Sequence, residues 1–181
     1  LVAPSKMPDE LTWFKWEAYA TWISGFALLT VIYYTAAGLY MIDLEILDIE
    51  PWQAVAISLS GIAIGWGFYD GICRSPLGRS DAALATAGFV FLVALAWGYT
   101  QIFSARGAFV QMGVTIGTIM VANVLMVIIP GQKKVVAALR AGDAPNPRYG
   151  VRGKQRSLHN NYLTLPVIFI MIGGHYPAIF A

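Results

Sequence analysis

The stretch DAALATAGFVFLVALAWGYTQIF (81–103), SAR (104–106) and GAFVQMGVTIGTIMVANVLMVII (107–129) decides the fold of this chain. Each outer segment is an apolar run of about 20 residues, the length that an α-helix needs to cross about 30 Å of hydrocarbon. Only the short segment SAR joins the two runs, so helices formed over them must lie side by side and antiparallel. The stretch therefore predicts a transmembrane helical hairpin.

The composition places the rest of the chain in the same environment. Of the 181 residues, 57% are hydrophobic and 12% are charged, whereas soluble domains usually carry about 25% charged residues. The charged residues cluster between long apolar runs. The chain is therefore predicted to be an all-α, polytopic transmembrane helix bundle. Its roughly five spans are expected at residues 17–41, 52–73, 81–103, 107–129 and 159–181.

Bulk charge and cysteine content exclude several kinds of protein. A net charge of +2 does not indicate a nucleic-acid partner. The single cysteine, Cys73, excludes an internal disulfide and a CxxC or CxxCH site within this chain. Because the sequence begins at Leu1 and ends inside the last apolar run, we expect it to be part of one membrane domain of a longer protein.

The distribution of Lys and Arg predicts the orientation of the spans. The connector 131–158 carries seven Lys and Arg against one acid, whereas the connector 42–51 carries four acids and neither cation. Cations favour the cytoplasmic side of a membrane, so the start of this chain is expected in the cytoplasm and its end on the opposite face. Pro130 is expected to end the fourth span. A short amphipathic helix over 132–142 and a turn-rich linker over 143–150 are expected to follow.

The main candidate site lies at the start of the fifth span. In KQRSLHNNYLTLP (154–166), the four polar residues His159, Asn160, Asn161 and Tyr162 lie at the edge of an apolar run. Lipid offers no hydrogen bonds to such groups, so their cluster predicts either a site or polar contacts between helices. Asn123, deep in the fourth span, also needs a partner from a neighbouring helix, and an ordinary interhelical hydrogen bond would satisfy it.

The two histidines, His159 and His175, are the candidate proton carriers and haem ligands. Sixteen residues separate them, which corresponds to roughly 24 Å along a straight helix. They are therefore not expected to bind the same iron, although each could bind a cofactor near its own membrane face. Hydrogen bonding at the membrane interface is an equally ordinary role for both.

Other chemistry is not indicated by the sequence. The chain has no Walker loop, no HExxH and no dinucleotide-binding motif. Asp70 lies four residues before Arg74, so a local ion pair is expected. The spans carry no charge near mid-membrane, which argues against a proton pump or an ion channel. The kind of metal, if any, is left open.

Four segments resemble the membrane domain of the bacterial membrane-bound urate oxidase family, also called urate hydroxylase. The resemblance covers almost the whole chain, in order and without large gaps. The segments are PDELTWFKWEAYATWISGFALL (8–29), CRSPLGRSD (73–81), GTIMVANVLMVIIPGQKKVVAALRAG (117–142) and KQRSLHNNYLTLPVIFIMIGGHYP (154–177).

The resemblance implies a function that the residues alone do not give. It implies oxidation of urate to 5-hydroxyisourate in purine degradation, in the bacterial inner membrane, with electrons passed to a cytochrome c. Haem is the cofactor that it suggests, as a c-type group in a C-terminal domain outside this chain and as a further b-type group in the membrane domain.

The resemblance also directs attention to the polar residues at the fifth span. We expect His159 and Tyr162 to be catalytic, Asn160, Asn161 and Asn123 to bind substrate, and His175 or His159 to bind a cofactor. Two alternatives remain at this point. One is a non-catalytic membrane anchor or haem electron-relay domain, and the other is a small-solute carrier.

Overall fold

The computed structural model describes residues 13–179, and these residues contain helices, turns and connectors but no strand. The α-helices are α1 (Trp13–Leu29), α2 (Ala37–Tyr40), α3 (Pro51–Arg74), α4 (Asp81–Thr100), α5 (Ala105–Ala122), α6 (Ile129–Arg140) and α7 (Pro147–Gly173). Two π-helical segments cover Thr30–Tyr34 and Asn123–Ile128, and two short 3-10 helices cover Pro76–Arg79 and Pro177–Ile179.

The chain has the all-α fold of a polytopic membrane protein. Among the described residues, three helices are long and apolar enough to cross a membrane: Pro51–Arg74, Asp81–Thr100 and the continuous helix Ala105–Arg140. Large apolar side chains point outward from them, and Phe89 and Trp97 are 70% and 67% exposed. Such surface is stable against lipid and unfavourable against water. The predicted hairpin of the third and fourth spans is formed by α4 and α5.

Local sequence signals explain where these helices begin. Glu50 and Gln53 form a capping box, in which each side chain accepts from the other's backbone N–H, and Pro51 follows at the first helical position of α3. Ser80 accepts from the N–H of Ala83 at the start of α4. Ser104 caps α5 by accepting from the N–H of Gly107 at 3.1 Å. The short link between α4 and α5 is therefore both a turn and a helix cap.

Helix α5 lies at the centre of the bundle and contacts α1, α3, α4 and α7. The hydrophobic core lies at the end of the bundle where α3 and α5 begin and α4 ends, and includes the fully buried Phe103 and Ala54. Backbone and side chain of Ser104 both bond to the end of α2, through the carbonyls of Met41 and Tyr40. The opposite end, where α3 and α5 end and α7 begins, is held by polar contacts instead.

The helix boundaries differ from the expected spans in three places. The first span is not one helix, because a π-helical segment and the non-helical Ala36 divide α1 from α2. Pro130 does not end the fourth span, because α6 continues directly from the π-helical segment Asn123–Ile128. Local π-helical adjustment of this kind lets a membrane helix tolerate a proline that lacks an N–H. The fifth helix begins at Pro147, capped by Asn146, and not near His159.

The predicted amphipathic helix is present as the last part of this continuous helix. Gly142 follows its end with φ of 78°, a left-handed conformation that glycine adopts without steric cost. The N–H of Asp143 bonds back to the carbonyl of Ala138, which completes the cap. The expected linker over 143–150 is therefore shortened to the few residues before α7.

Candidate functional site

A buried ion pair joins α3 to α7 at the polar end of the bundle. A terminal guanidinium nitrogen of Arg156, a residue that is 3% exposed, lies 2.5 Å from Oδ1 of Asp70. The other carboxylate oxygen of Asp70 lies 2.6 Å from Nε of Arg74, whose side chain is 62% exposed. The Arg156 guanidinium also lies 4.9 Å from the centre of the Tyr69 ring. A buried charge is tolerated only when it is paired in this way.

Asn123 connects this ion pair to the residues around His159. Its Oδ1 accepts from Arg156 at 3.2 Å. Its Nδ2 donates to the hydroxyl of Tyr69 at 3.0 Å and to Oδ1 of Asn160 at 2.9 Å. Asn160 in turn donates to the carbonyl of Met120 at 2.9 Å. Asn123 is fully buried, and within the described ranges every buried side-chain nitrogen and oxygen has a hydrogen-bond partner.

Arg156 fixes the direction of the amide hydrogen bonds in this network. A guanidinium can only donate, so the oxygen of the Asn123 amide must face it and the Asn123 nitrogen must donate onward. Tyr69 therefore accepts from Asn123, and its own hydroxyl hydrogen is free to point at Nδ1 of His159, 2.7 Å away. This arrangement favours the His159 tautomer whose Nδ1 accepts from Tyr69 and whose Nε2 carries the hydrogen.

Helical spacing explains why these residues converge. On α7, Arg156, His159 and Asn160 stand at positions i, i+3 and i+4, which share one face of a helix. On α3, Tyr69, Asp70 and Cys73 stand at i, i+1 and i+4, with Trp66 three residues before Tyr69 on the same face. These two rows of side chains, one on α3 and one on α7, face each other.

The third component is the π-helical segment Asn123–Ile128. Its wider turn is marked by the N–H of Ile129, which bonds to the carbonyl of Val124, five residues back. Asn123 is the first residue of this segment, and its side chain lies between the two rows of side chains on α3 and α7. Single π-helical turns inside α-helices occur frequently at functional sites.

The structure brings together three of the sequence-predicted site residues and leaves three apart. His159, Asn160 and Asn123 belong to the network described above. Asn161 and Tyr162 follow on the outward side of α7, and Tyr162 is 69% exposed. His175 lies beyond the end of α7, exposed, at the opposite end of the bundle. The predicted roles of all six residues remain predictions.

Sequence reasoning missed the residues that complete the network. Asp70 forms the expected pair with Arg74, but it also pairs with Arg156. The sequence suggested Arg156 as one of three cations, with Arg152 and Lys154, that could complement an anionic substrate beside the Asn amides or serve only topology and lipid contact; it did not suggest a buried partner of Asp70. Tyr69 was not singled out, and Cys73 lies 3.9 Å from Nδ1 of His159 as well as filling a helix end. The signal that could have found them is the spacing of Trp66, Tyr69 and Cys73 along one face of α3.

A partly open cavity of about 180 Å³ adjoins the network. The ion pair of Asp70 and Arg156 forms part of its wall, together with Cys73. Four cationic side chains and one carboxylate line it. They are Arg74, Lys134, Arg152, Arg156 and Asp70. The cavity is therefore a positively charged recess that touches the same groups that orient Asn123 and His159.

The geometry does not fit a haem held by two histidines of this chain. His159 lies near the middle of α7 and His175 lies beyond its C-terminal end, 16 residues further along the chain. These are the two histidines in the sequence. Nδ1 of His159 is bonded to Tyr69. In the range 13–179 there is also no group of three or more His, Cys, Asp or Glu side chains that could hold a metal ion.

The family model described as "Urate oxidase N-terminal" matches residues 1–181, the full length of the sequence. No curated protein and no solved structure gives a significant match.

Proposed function

The chain belongs to the urate oxidase N-terminal family, and from this premise we propose that it is the membrane part of an enzyme that oxidises urate to 5-hydroxyisourate. The observation that supports a catalytic role is the buried network of Arg156, Asn123, Tyr69 and His159. In this network Arg156 donates to Asn123, and Asn123 donates to Tyr69. Tyr69 in turn lies 2.7 Å from Nδ1 of His159, so the neutral imidazole is the last acceptor of the series. Such an imidazole is ready to receive a proton.

The reaction releases a proton that the protein must accept. The urate monoanion and one water give neutral 5-hydroxyisourate, one proton and two electrons, as an O–H bond of the water breaks and a new C–O bond forms at the carbon that becomes hydroxylated. We propose a cytochrome c as the acceptor of both electrons, one at a time. Tyr69 and His159 would carry one proton: the Tyr69 oxygen receives it while the Tyr69 hydroxyl hydrogen moves to Nδ1 of His159, 2.7 Å away.

The amides have positioning roles in this proposal. Asn123 keeps the Tyr69 hydroxyl directed at His159, and Asn160 keeps Asn123 in place through its bond to the Met120 carbonyl. Three roles stay predictions: Tyr162 as a second catalytic group, Asn161 as a substrate ligand and His175 as a cofactor ligand. Their exposure requires that any such contact be made at the outer surface of the bundle.

We propose that the polar end of the bundle faces the cytoplasm of a bacterial inner membrane. The basic residues Lys133, Lys134, Arg148 and Arg152 lie at this end, on α6 and on the first turns of α7, whereas the acidic connector 42–50 lies at the other end. Cations of this kind favour the cytoplasmic side. Cysteine labelling of single-cysteine variants in intact cells and inverted vesicles tests this orientation.

The variant His159→Ala of the full-length protein tests the function. We expect urate oxidation, followed as electron transfer to cytochrome c in isolated membranes, to fall about 100-fold or more because a general base typically contributes 10²–10⁴. Added imidazole should restore part of the rate if His159 transfers a proton. The variant His175→Ala is measured in parallel and reports separately on the predicted cofactor ligand.

Three outcomes would count against the proposal. Wild-type membranes that bind urate without reducing cytochrome c would favour a carrier or an anchor. Wild-type haem that is reduced by dithionite but not by urate would favour an electron relay. A His159→Ala variant with wild-type turnover would remove His159 from the mechanism while leaving the function itself intact.

A further inference from the structure

The cavity beside the network carries positive charge that the described residues do not neutralise. Asp70 is already paired with both Arg74 and Arg156. In the part of the chain that the structure describes, neither Lys134 nor Arg152 has a carboxylate within ion-pair distance. A cleft lined by one sign of charge concentrates counter-ions and charged ligands of the opposite sign. The cavity is therefore suited to an anion.

The shape and lining of the cavity narrow the chemistry of that anion. Its volume of about 180 Å³ compares with a cavity of about 150 Å³ that accepts benzene, and its open side leaves room for a second fused ring. Tyr149 contributes an aromatic ring to the wall, and Nζ of Lys134 lies 5.0 Å from the centre of that ring. A flat ligand can stack on such a ring while its charge meets the cations at the rim.

Polar groups in the wall complement a ligand with both donors and acceptors. The carboxylate of Asp70 has lone pairs beyond those used by the two arginines and can accept ring N–H groups. The guanidinium groups of Arg152 and Arg156 can donate to carbonyl oxygens in the planar geometry that arginine favours. The floor is formed by buried groups that are already fixed by the network, so only the rim has to rearrange when a ligand enters.

We propose that this cavity is the substrate site, and that it binds urate as a planar monoanion, with Lys134 and Arg152 at the rim and Arg156 and Asp70 at the floor. The inference rests on the proposed function for the identity of the anion. Arg156 would then have two roles, since it lines the cavity and also sets the hydrogen-bond direction that ends at His159. Substrate binding and proton acceptance are joined through one side chain.

The test measures binding apart from turnover. Full-length protein in nanodiscs of uncharged phospholipid is incubated with radiolabelled urate under anaerobic conditions, with its cytochrome fully reduced so that no electrons can be accepted. The variants are Lys134→Gln, Arg152→Gln and the double variant. The matched control is Lys133→Gln, which removes the same charge from the neighbouring position of α6, outside the cavity lining.

We expect each single variant to raise the Kd for urate about threefold to tenfold, and the double variant more, because each removes one partly exposed charge contact. The control should stay within about twofold of wild type. In turnover assays the double variant should raise KM and leave kcat close to wild type, since the rim does not touch the network. Equal effects of Lys133→Gln and Lys134→Gln would overturn the proposal, because only the general surface charge would then matter.

Two further outcomes separate this inference from the proposed function. If wild-type protein oxidises urate and the double variant keeps its KM, the cavity is not the substrate site although the function stands. If wild-type protein binds urate with the expected dependence on Lys134 and Arg152 but never reduces cytochrome c, the site stands and the function fails. If anionic phospholipid displaces urate with the same dependence on these two residues, the cavity is a headgroup site and the proposal is wrong.

Discussion

Two arginines pair with the same carboxylate and differ mainly in burial, which makes a matched pair of substitutions. Asp70 lies 2.5 Å from Arg156 and 2.6 Å from Arg74, but the side chain of Arg156 is 4% exposed and that of Arg74 is 62% exposed. We predict that Arg156→Gln opens the polar end of the bundle and that Arg74→Gln scarcely affects it.

The magnitude follows from the burial of each arginine and from the bonds that its guanidinium makes. Removing one partner of a buried pair usually costs about 3–5 kcal/mol. Asp70 is 15% exposed at its side chain and keeps Arg74, so the lower value of about 3 kcal/mol is expected for Arg156→Gln. This value includes the bond from Arg156 to Asn123. Loss of the exposed pair in Arg74→Gln should cost about 1 kcal/mol or less.

The single cysteine of this chain gives a local readout. Cys73 is buried, and its sulfur lies 3.9 Å from Nδ1 of His159. Under conditions where closing is faster than labelling, the rate of reaction with a bulky maleimide follows the opening equilibrium of this region. We therefore expect labelling to accelerate about a hundredfold in Arg156→Gln and about fivefold or less in Arg74→Gln. A Cys73→Ala variant supplies the background from any other thiols in the full-length protein.

Equal labelling rates in the two variants would refute the reasoning, because the argument depends on burial and not on the ion-pair distance. A second check is the double variant Asp70→Asn, Arg156→Gln. Its loss of stability should be smaller than the sum of the two single losses, since both residues belong to one network. Additive losses would show that the pair contributes no coupling energy.

Two further predictions concern the packing of α3 and the hydroxyl that bonds His159. Gly65→Ala should destabilise the bundle by about 1–3 kcal/mol, because its methyl group would lie 2.5 Å from Cγ2 of Thr115, whereas Gly67→Ala meets no atom within 4 Å and should be tolerated. Thermal unfolding in detergent measures both, and Thr115→Ser, which removes that methyl and keeps the hydroxyl, should rescue Gly65→Ala; absence of rescue would contradict the contact. Tyr69→Phe should lower urate turnover at least about tenfold by removing the hydroxyl relay, and Tyr162→Phe, measured beside it, tests the sequence-predicted catalytic role of that exposed residue. Wild-type turnover in Tyr69→Phe would remove Tyr69 from the proton path.

The sequence was sufficient to predict the elements whose signals are local. The hairpin of α4 and α5 followed from the length of two apolar runs and the three residues between them. The ion pair of Asp70 and Arg74 followed from helical spacing, and the end of the amphipathic helix followed from Gly142. Each of these depends on residues within one turn or one link, so no knowledge of the packing was needed.

The network could not be predicted in full because it depends on contacts between distant segments. Arg156 is one of seven cations in its connector and looks like the others until α7 is seen to begin at Pro147 and not near His159. That earlier start turns an expected surface cation into a buried helical residue facing α3. The π-helical segment that aims Asn123 has no evident sequence signal in the apolar run around it. The polar cluster was found, but its partners on α3 were not.

The two ends of the bundle are stabilised in different ways, and this difference bears on function. The end around Phe103 is held by apolar packing. The other end contains a buried charge, although replacing a buried ion pair with well-packed apolar residues is often neutral or stabilising. Packing alone therefore does not require Arg156. Hydrogen-bond direction gives Arg156 a role, because a group that donates and never accepts orients the Asn123 amide so that its nitrogen donates to Tyr69. The buried arginine is better explained by the orientation of His159 than by the stability of the helices.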